Sequence, residues 1–407
     1  MRILHTSDWH LGQHFMGKTR QAEHQAFCAW LIEQVREHQV DAVLIAGDIF
    51  DTGAPPSYAR EQYNRFIVEL RDTGCELVVL GGNHDSVAML GESKTLLAQL
   101  GTRVIPGVCE TLGEQLLVLK GRDGQPAALL CGIPFIRPRD VLQSQAGQSA
   151  EDKQKSLQQA IQQHYQALYA LAEAKRAELG NALPIVATGH LTTVGASASE
   201  SVREIYVGSL EAFPTSAFPP AAYVALGHIH RPQKVGGLEH IRYCGSPIAL
   251  SFDEARQQKE VLLVELDASG LRGVTPLPVP CFQPMQSLRG SLKELPGVIQ
   301  EVAAQGSAER PVWLEVLVLS DDYLSDLQSR IATLCDGLPV EVLRIRRERG
   351  TAVASLTSTT RETLDELSAD DVFARRLQQE QLDEADVTRL QGLYRGVLAD
   401  LHKPDGD

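Results

Sequence analysis

Gly227-His228-Ile229-His230 follows the apolar run Tyr223-Val224-Ala225-Leu226. The run reads as a buried strand, and the residues after it as the start of a loop. Two imidazoles one residue apart, just past a glycine, stand where ligands gather in α/β folds, at the carboxyl end of a strand. Taken alone, the segment reads equally well as a polar loop whose histidines cap backbone groups. What decides the fold is that the same grammar recurs four more times.

Arg2 to Thr6 reads as a first strand and runs into Ser7-Asp8-Trp9-His10. Ala42 to Ala46 ends in Gly47-Asp48, and Glu76 to Leu80 ends in Gly81-Gly82-Asn83-His84-Asp85. Pro184 to Ala187 ends in Thr188-Gly189-His190. In four of the five, glycine stands immediately before the ligand, where it permits a sharp turn and close approach of backbone to a bound oxyanion. Helical spacing separates the strands: Ala26, Phe27, Trp30, Leu31 and Val35; Tyr63, Phe66, Ile67 and Leu70; Leu96, Leu97 and Leu100. Leu157, Ile161, Tyr165, Leu168 and Leu171 form a further stripe, and His164 on it reads as a core or interface residue. Leu129 to Pro134 reads as a strand without ligands, and His240 to Ser246 as a strand and turn closing the domain. An α/β domain with five ligand-bearing strand ends on one edge is the expectation.

The donors are two carboxylates, one amide and several imidazoles, with no thiolate. That set suits manganese, iron or zinc and argues against calcium or a structural zinc site. It is too large for one ion. Two ions about 3.5–4 Å apart, sharing a carboxylate, clamp an in-line phosphoryl displacement and acidify a water.

A competing motif lies at Gly12 to Thr19, which matches the phosphate-binding pattern GxxxxGKS/T before a helix. Such a loop starts directly off its strand. Here Asp8, Trp9 and His10 intervene, and an NTPase reading leaves the later histidines unexplained.

At 407 residues the chain is long enough for two or three domains, and it contains no uninterrupted apolar run of membrane-spanning length. Its start meets Asp8 too early for a secretory signal. Seven cysteines without CxxC spacing fit a reducing cytosol and small buried side chains. The formal charge of −14 lends no support to phosphate-backbone binding. Bound cations and local arginine clusters would have to reshape the field where it matters.

Asp267 to Pro284 carries Pro276, Pro278, Pro280 and Pro284 and reads as a linker. Beyond it, Val312 to Val318 and Val340 to Ile345 alternate as strands around a helical stretch with Leu324, Leu327, Ile331 and Leu334, a βαβ pattern. Arg344, Arg346, Arg347 and Arg349 form a basic run, read as a solvated strand end ahead of a phosphate-contacting patch. Ser368-Ala369-Asp370-Asp371 resembles a capping box. Leu390, Leu393, Tyr394, Val397, Leu398 and Leu401 keep one apolar face that must bury against something.

Together, Asp8-Trp9-His10, Gly47-Asp48, Gly82-Asn83-His84-Asp85, Gly189-His190 and Gly227-His228-Ile229-His230 resemble the five motifs of calcineurin-like metallophosphoesterases. With the lobe and the tail they resemble the SbcCD-type nuclease subunits of double-strand-break repair, over nearly the full length. The resemblance implies a two-sheet α/β sandwich flanked by helices over 1–275, a small α/β capping domain over 282–348 and a helical partner-binding tail over 360–402. It implies one ion held by Asp8, His10, Asp48 and His230, and a second by Asp48, Asn83, His190 and His228, with Asp48 bridging. His84 would act on the scissile phosphate and leaving oxygen, and Asp85 would orient it. Where some relatives carry a second histidine this chain has Phe50-Asp51, so Asp51 reads as a turn residue. The activity implied is a manganese-dependent DNA nuclease, 3′-to-5′ on double-stranded ends and endonucleolytic on single strands and hairpins. Its setting would be cytoplasmic DNA repair, recombination and replication. The partners implied are DNA and the ATPase subunit SbcC, two copies of each subunit, with nuclease domains pairing through the Tyr63–Leu70 and Leu96–Leu100 helices. A stand-alone phosphatase or phosphodiesterase is the alternative. A non-catalytic module on the same fold ranks last, because every ligand is present.

Overall fold

The computed structural model describes residues 1–142, 149–180, 182–202, 205, 212–319, 326–348, 389–390 and 392–394. The chain starts with β1 (Arg2–Thr6), a short hairpin (His14–Phe15 with Lys18–Thr19), α1 (Gln21–Glu37), β2 (Ala42–Ile45) and α2 (Ser57–Arg71). Next come β3 (Glu76–Leu80), β4 (Thr102–Ile105), β5 (Leu116–Lys120), β6 (Pro126–Cys131) and the long helix α3 (Ala150–Leu179). β7 (Ile185–His190), β8 (Tyr223–Gly227), β9 (Gln233–Lys234), β10 (Ile241–Tyr243), β11 (Glu260–Asp267) and β12 (Gly270–Pro278) follow. The lobe is β13 (Met285–Gly290), α4 (Leu295–Ala303), β14 (Val312–Leu319), α5 (Leu327–Cys335) and β15 (Val340–Glu348).

Two six-stranded sheets run β12-β11-β1-β2-β3-β4 and β9-β10-β8-β7-β6-β5. β1 to β4 are mutually parallel, as are β6, β7, β8 and β10. Their carboxyl ends therefore emerge on one edge of each sheet. Strands buried on both faces read as unbroken apolar runs, and the packing shows why. Ile3, Leu44 and Val78 of the first sheet meet Leu130, Val186 and Ala225 of the second in a shared core. Leu4, Val43 and Val79 point the other way, onto Phe27 and Leu31 of α1 and Phe66 of α2. The outer face of the second sheet, with Leu129, Ile185 and Val224, packs on Leu157, Ile161, Tyr165 and Leu168 of α3. Ser149 caps α3 by accepting the Asp152 N–H at 3.1 Å, and Gly180 ends it at φ 66°. Leu171 is exposed and Ala172 buried, because the helical period after Leu168 carries four residues on to the inner face.

Three expectations change. The first domain does not close at His240–Ser246: β11 returns to the first sheet antiparallel to β1 and pairs with β12 as its edge strand. Pro276 and Pro278, read as linker, sit in that edge strand opposite Leu262 and Glu260, a position that tolerates proline because no further strand needs its N–H. The lobe is larger than the expected βαβ. β13, β14 and β15 form a parallel sheet, with Leu295, Ile299, Leu327 and Ile331 of α4 and α5 in its core. In keeping with its rejection on sequence, the Gly12–Thr19 match forms a hairpin pairing His14 with Thr19 and Phe15 with Lys18, not a phosphate cradle. That hairpin seats the lobe. Phe15 stacks on Trp313 of β14 (centroids 6.1 Å, 18°), Arg20 lies over both rings, and Lys18 pairs with Glu341 of β15.

The seven cysteines are free thiols. Among the described residues no helix is long and apolar enough to cross a membrane. The tail over 360–402 and Arg349 lie outside the described residues, apart from the short stretches at 389–390 and 392–394.

Candidate metal centre

β1 delivers Asp8 and His10, β2 Asp48, β3 Asn83 and His84, β7 His190, and β8 His228 and His230. The loops after β1 and β2 run side by side, joined by Asp8 N to Gly47 O (3.0 Å) and His10 N to Asp48 O (3.1 Å). His228 N donates to both Asp8 carboxylate oxygens at 2.9 and 3.1 Å, and this ties the two sheets together at the site. Asp8, His10, Asp48 and His228 all have positive φ (55°, 49°, 52° and 93°). Non-glycine residues adopt that region at a cost that surrounding structure must offset, and such residues cluster at functional sites.

The glycines explain themselves here, though not as expected. A Cβ on Gly82 would lie 2.1 Å from Asp48 Oδ1, and one on Gly227 would lie 2.0 Å from Ala46 O. Their task is to let the strand ends approach one another, and no oxyanion is needed to account for them.

Ligand-capable atoms of Asp8, His10 and His230 lie within 4.8 Å of one another, as do those of Asp48, His190 and His228. Asp48 faces both groups: its Oδ2 is 3.2 Å from His190 Nε2 and 3.7 Å from His10 Nε2. Asn83 Oδ1 is 2.9 Å from His190 Nε2 and 3.1 Å from His228 Nδ1. The seven expected donors thus lie in one cluster, as two groups of three with Asp48 also near His10 and Asn83 beside His190 and His228. The fit to metal rests on orphaned atoms. His10 Nε2 and His228 Nε2 are buried with no hydrogen-bond partner, a costly arrangement unless something positive completes it. On the far side, His190 Nδ1 sits 2.9 Å from Ala46 O, and His10 Nδ1, which also lacks a hydrogen-bond partner, lies at ion-pair distance (3.2 Å) from the Asp51 carboxylate. Metal-binding imidazoles are oriented by such contacts.

Without metal the site is a dense charge cluster. Burial works against a proton on His190, but the Asp48 carboxylate overcomes it and raises the ring from 6.5 to about 9. Burial also resists ionisation of Asp48, yet His190 holds it well below the ordinary carboxylate value. His228 is pushed well below its usual value by burial and by the neighbouring His190 charge.

His84 comes within ligand distance of His10 and Asp48. Its N–H donates to Asp48 Oδ1 (2.9 Å) and its Nδ1 is 2.7 Å from the Asp51 carbonyl. Asp51, read as a turn residue, therefore supports two site histidines, His10 and His84. Asp85 was expected to orient His84. Its buried carboxylate instead accepts from Gly82 N (2.8 Å), Phe50 N (3.0 Å) and Ile49 N (3.2 Å). It braces the β2 and β3 loops against each other. Burial, then the Asp48 charge, raises it to about 6 in spite of those donors. Neither role had a sequence signal beyond proximity to the motifs. His164, on α3, lies away from the ligands, 3.2 Å from the Gln115 amide.

A cleft of about 320 Å³ opens over the cluster, lined by His10, His84, His230, Phe252 and Arg344 among others. Arg344 comes from the lobe. It is paired with Glu315 (Nε to Oε1, 2.5 Å) and lies over the Phe252 ring at 5.8 Å. The start of the basic run is thus part of the cleft wall and not a solvated strand end.

The calcineurin-like phosphoesterase family model matches residues 1–232, and one described as type 5 capsule protein repressor C-terminal domain matches 281–381. The SbcD subunit of nuclease SbcCD from Escherichia coli K12 is 54% identical over 398 residues, covering 98% of each chain. The SbcD subunit from Rhodobacter capsulatus is 35% identical over 393 residues, covering 89% of this chain and 93% of its own. The one from Bacillus subtilis is 32% identical over 269 residues, covering 65% and 66%. With the five ligand-bearing strand ends gathered into one centre, the chain belongs to the calcineurin-like phosphoesterases and, within them, to the SbcD family of nuclease subunits.

Proposed function

We propose that the chain hydrolyses DNA phosphodiester bonds, 3′ to 5′ at double-stranded ends and endonucleolytically in single strands and hairpins, with two divalent ions, manganese foremost. Asp8, His10, Asp48 and His230 would hold one ion, and Asp48, Asn83, His190 and His228 the other. Bound there, such ions supply Lewis acidity toward phosphate oxygens and lower the pKa of a water nucleophile. His84, its ring steadied by the Asp51 carbonyl, lines the same cleft and delivers a proton to the leaving oxygen. Asp85 keeps the His84 loop in register with the Asp48 loop. The observation that carries the reading is the convergence of donors from four strand ends, residues 8 to 230, within 4.8 Å in each group, with Asn83 from a fifth at 2.9 and 3.1 Å from His190 and His228.

The partner reading is an ATPase of the SbcC type, two copies of each subunit, gripped through the C-terminal tail. Pairing of two nuclease domains draws support from Val68 on α2 and Leu96 on the short helix Lys94–Ala98, both exposed apolar side chains. Nuclease assays of the full chain, alone and co-purified with its ATPase, test the function. Manganese-dependent cleavage of a linear duplex, outpacing turnover of a small phosphodiester, is the expected result. Small-diester turnover with no duplex cleavage under either condition would return the phosphatase reading.

A further inference from the structure

Behind His230 lies a buried ion pair that the ligand set does not account for. Glu254 is fully buried and Lys259 is 6% exposed. Removing two charges from water can cost more than their attraction returns, so the pair needs a local reason. Glu254 Oε2 accepts from Lys259 Nζ at 2.6 Å and from Leu250 N at 3.0 Å. Its Oε1 accepts from Ser199 Oγ (2.7 Å) and from Ser201 Oγ, and lies 3.3 Å from His230 Nδ1. Ser201 Oγ is itself 2.6 Å from His230 Nδ1. Lys259 also donates to the His230 carbonyl at 3.0 Å and to Ser246 Oγ at 2.9 Å. His230 is thus gripped at its ring and at its backbone by the two members of one ion pair.

The direction of the chain follows from donor and acceptor inventory. A carboxylate paired with an ammonium only accepts. The Ser201 hydroxyl proton therefore goes to Glu254, and the Ser201 oxygen must accept from His230 Nδ1–H. The imidazole lone pair is left on Nε2. We infer that Glu254, acting with Ser201 and Lys259, is a positioning residue that selects the Nδ1–H tautomer of His230 and aims Nε2 into the metal centre. The inference rests on the reading of His230 as a ligand.

Manganese titration of the full chain, calorimetric or by the electron spin resonance of the free ion, is the test. Glu254→Gln should weaken one of the two ions by about 10–100-fold and leave the other unchanged. Ser201→Ala should weaken the same ion less, because the direct Glu254 contact survives, and it carries the test if Glu254→Gln fails to fold. Ser199→Ala removes a donor to the same carboxylate oxygen and the 3.1 Å contact with Ser201 Oγ but nothing on His230, and should weaken binding less than either of the other two. Long-range nitrogen–proton NMR of histidine-labelled, metal-free protein should find His230 as Nδ1–H in the parent, as a tautomer mixture in Glu254→Gln, and with a smaller Nε2–H fraction in Ser201→Ala, where the 3.3 Å Glu254 contact remains. Parent-like affinity and tautomer in folded Glu254→Gln, or in Ser201→Ala if that variant alone folds, would overturn the inference. So would an equal loss in Ser199→Ala. If His230→Gln itself keeps both ions at parental affinity, the ligand reading fails instead.

Discussion

At the scale of the residue, His84 and His190 make separable predictions. His84 stands beside His10 and Asp48 but belongs to neither proposed donor set, so His84→Gln should retain two manganese ions per chain while duplex cleavage falls by about 10²–10⁴-fold. Metal stoichiometry beside single-turnover rates checks this, and a parental rate would remove His84 from the chemistry. His190 speaks to pH. Its folded value of about 9 exceeds the ordinary 6.5, so its proton stabilises the metal-free fold fully below pH 6.5, and that contribution is lost as pH rises through about 9. A ligand nitrogen must give up this proton. Loading manganese at neutral pH should therefore release about one proton at His190, and affinity should climb as pH rises toward 9. Calorimetry in buffers of different ionisation heat measures the release; heats independent of buffer would show that His190 is not displaced. All seven donors were legible as residue types after strands. Asp51, Ser201 and Glu254 were not, because their roles come from where a loop happens to fold back, which no spacing rule encodes.

At the scale of the element, β1, β2, β3, β7 and β8 were readable because burial on both faces leaves little but apolar residues in them, whereas β4, with Arg103 exposed, and β13, with Gln286 and Arg289, were not. β12 was not, because an edge strand tolerates the same prolines that mark a linker. The hairpin His14–Thr19 matches a nucleotide-binding pattern that its distance from the strand already excluded; that it seats the lobe had no sequence signal. Trp313 packs there against Phe15 beneath Arg20. Trp313→Ala should lower stability by about 3–5 kcal/mol, read by denaturant unfolding. It should also depress duplex cleavage more than small-diester turnover, since Arg344 reaches the cleft from that lobe while the metal ligands do not depend on it. Equal loss on both substrates would mean that the lobe only supports the fold.

At the scale of the whole molecule, the formal charge of −14 and a phosphate substrate coexist. The positive character the site needs would be local, from bound divalent ions, since Arg344 on the cleft wall is paired with Glu315. The residues that build the centre all lie between Asp8 and Lys259, within the compact unit Met1–Glu348. Truncation before Ser368 should therefore spare small-diester hydrolysis and abolish capture of the ATPase, as measured by pull-down. Capture by the truncated chain would dispose of the tail as the gripping element.

The sequence by itself determined the class of fold and named the candidate donors. Period, apolar runs and the repeated strand-end motifs are local properties that any window of the chain displays. Only the tertiary structure decided which nitrogen of each histidine faces the centre, that Asp85 braces loops while Asp51 holds rings, and that Glu254 and Lys259 stand behind His230. Those depend on distances between segments remote along the chain, which are set by how two sheets pack, and the order of residues carries no direct trace of them.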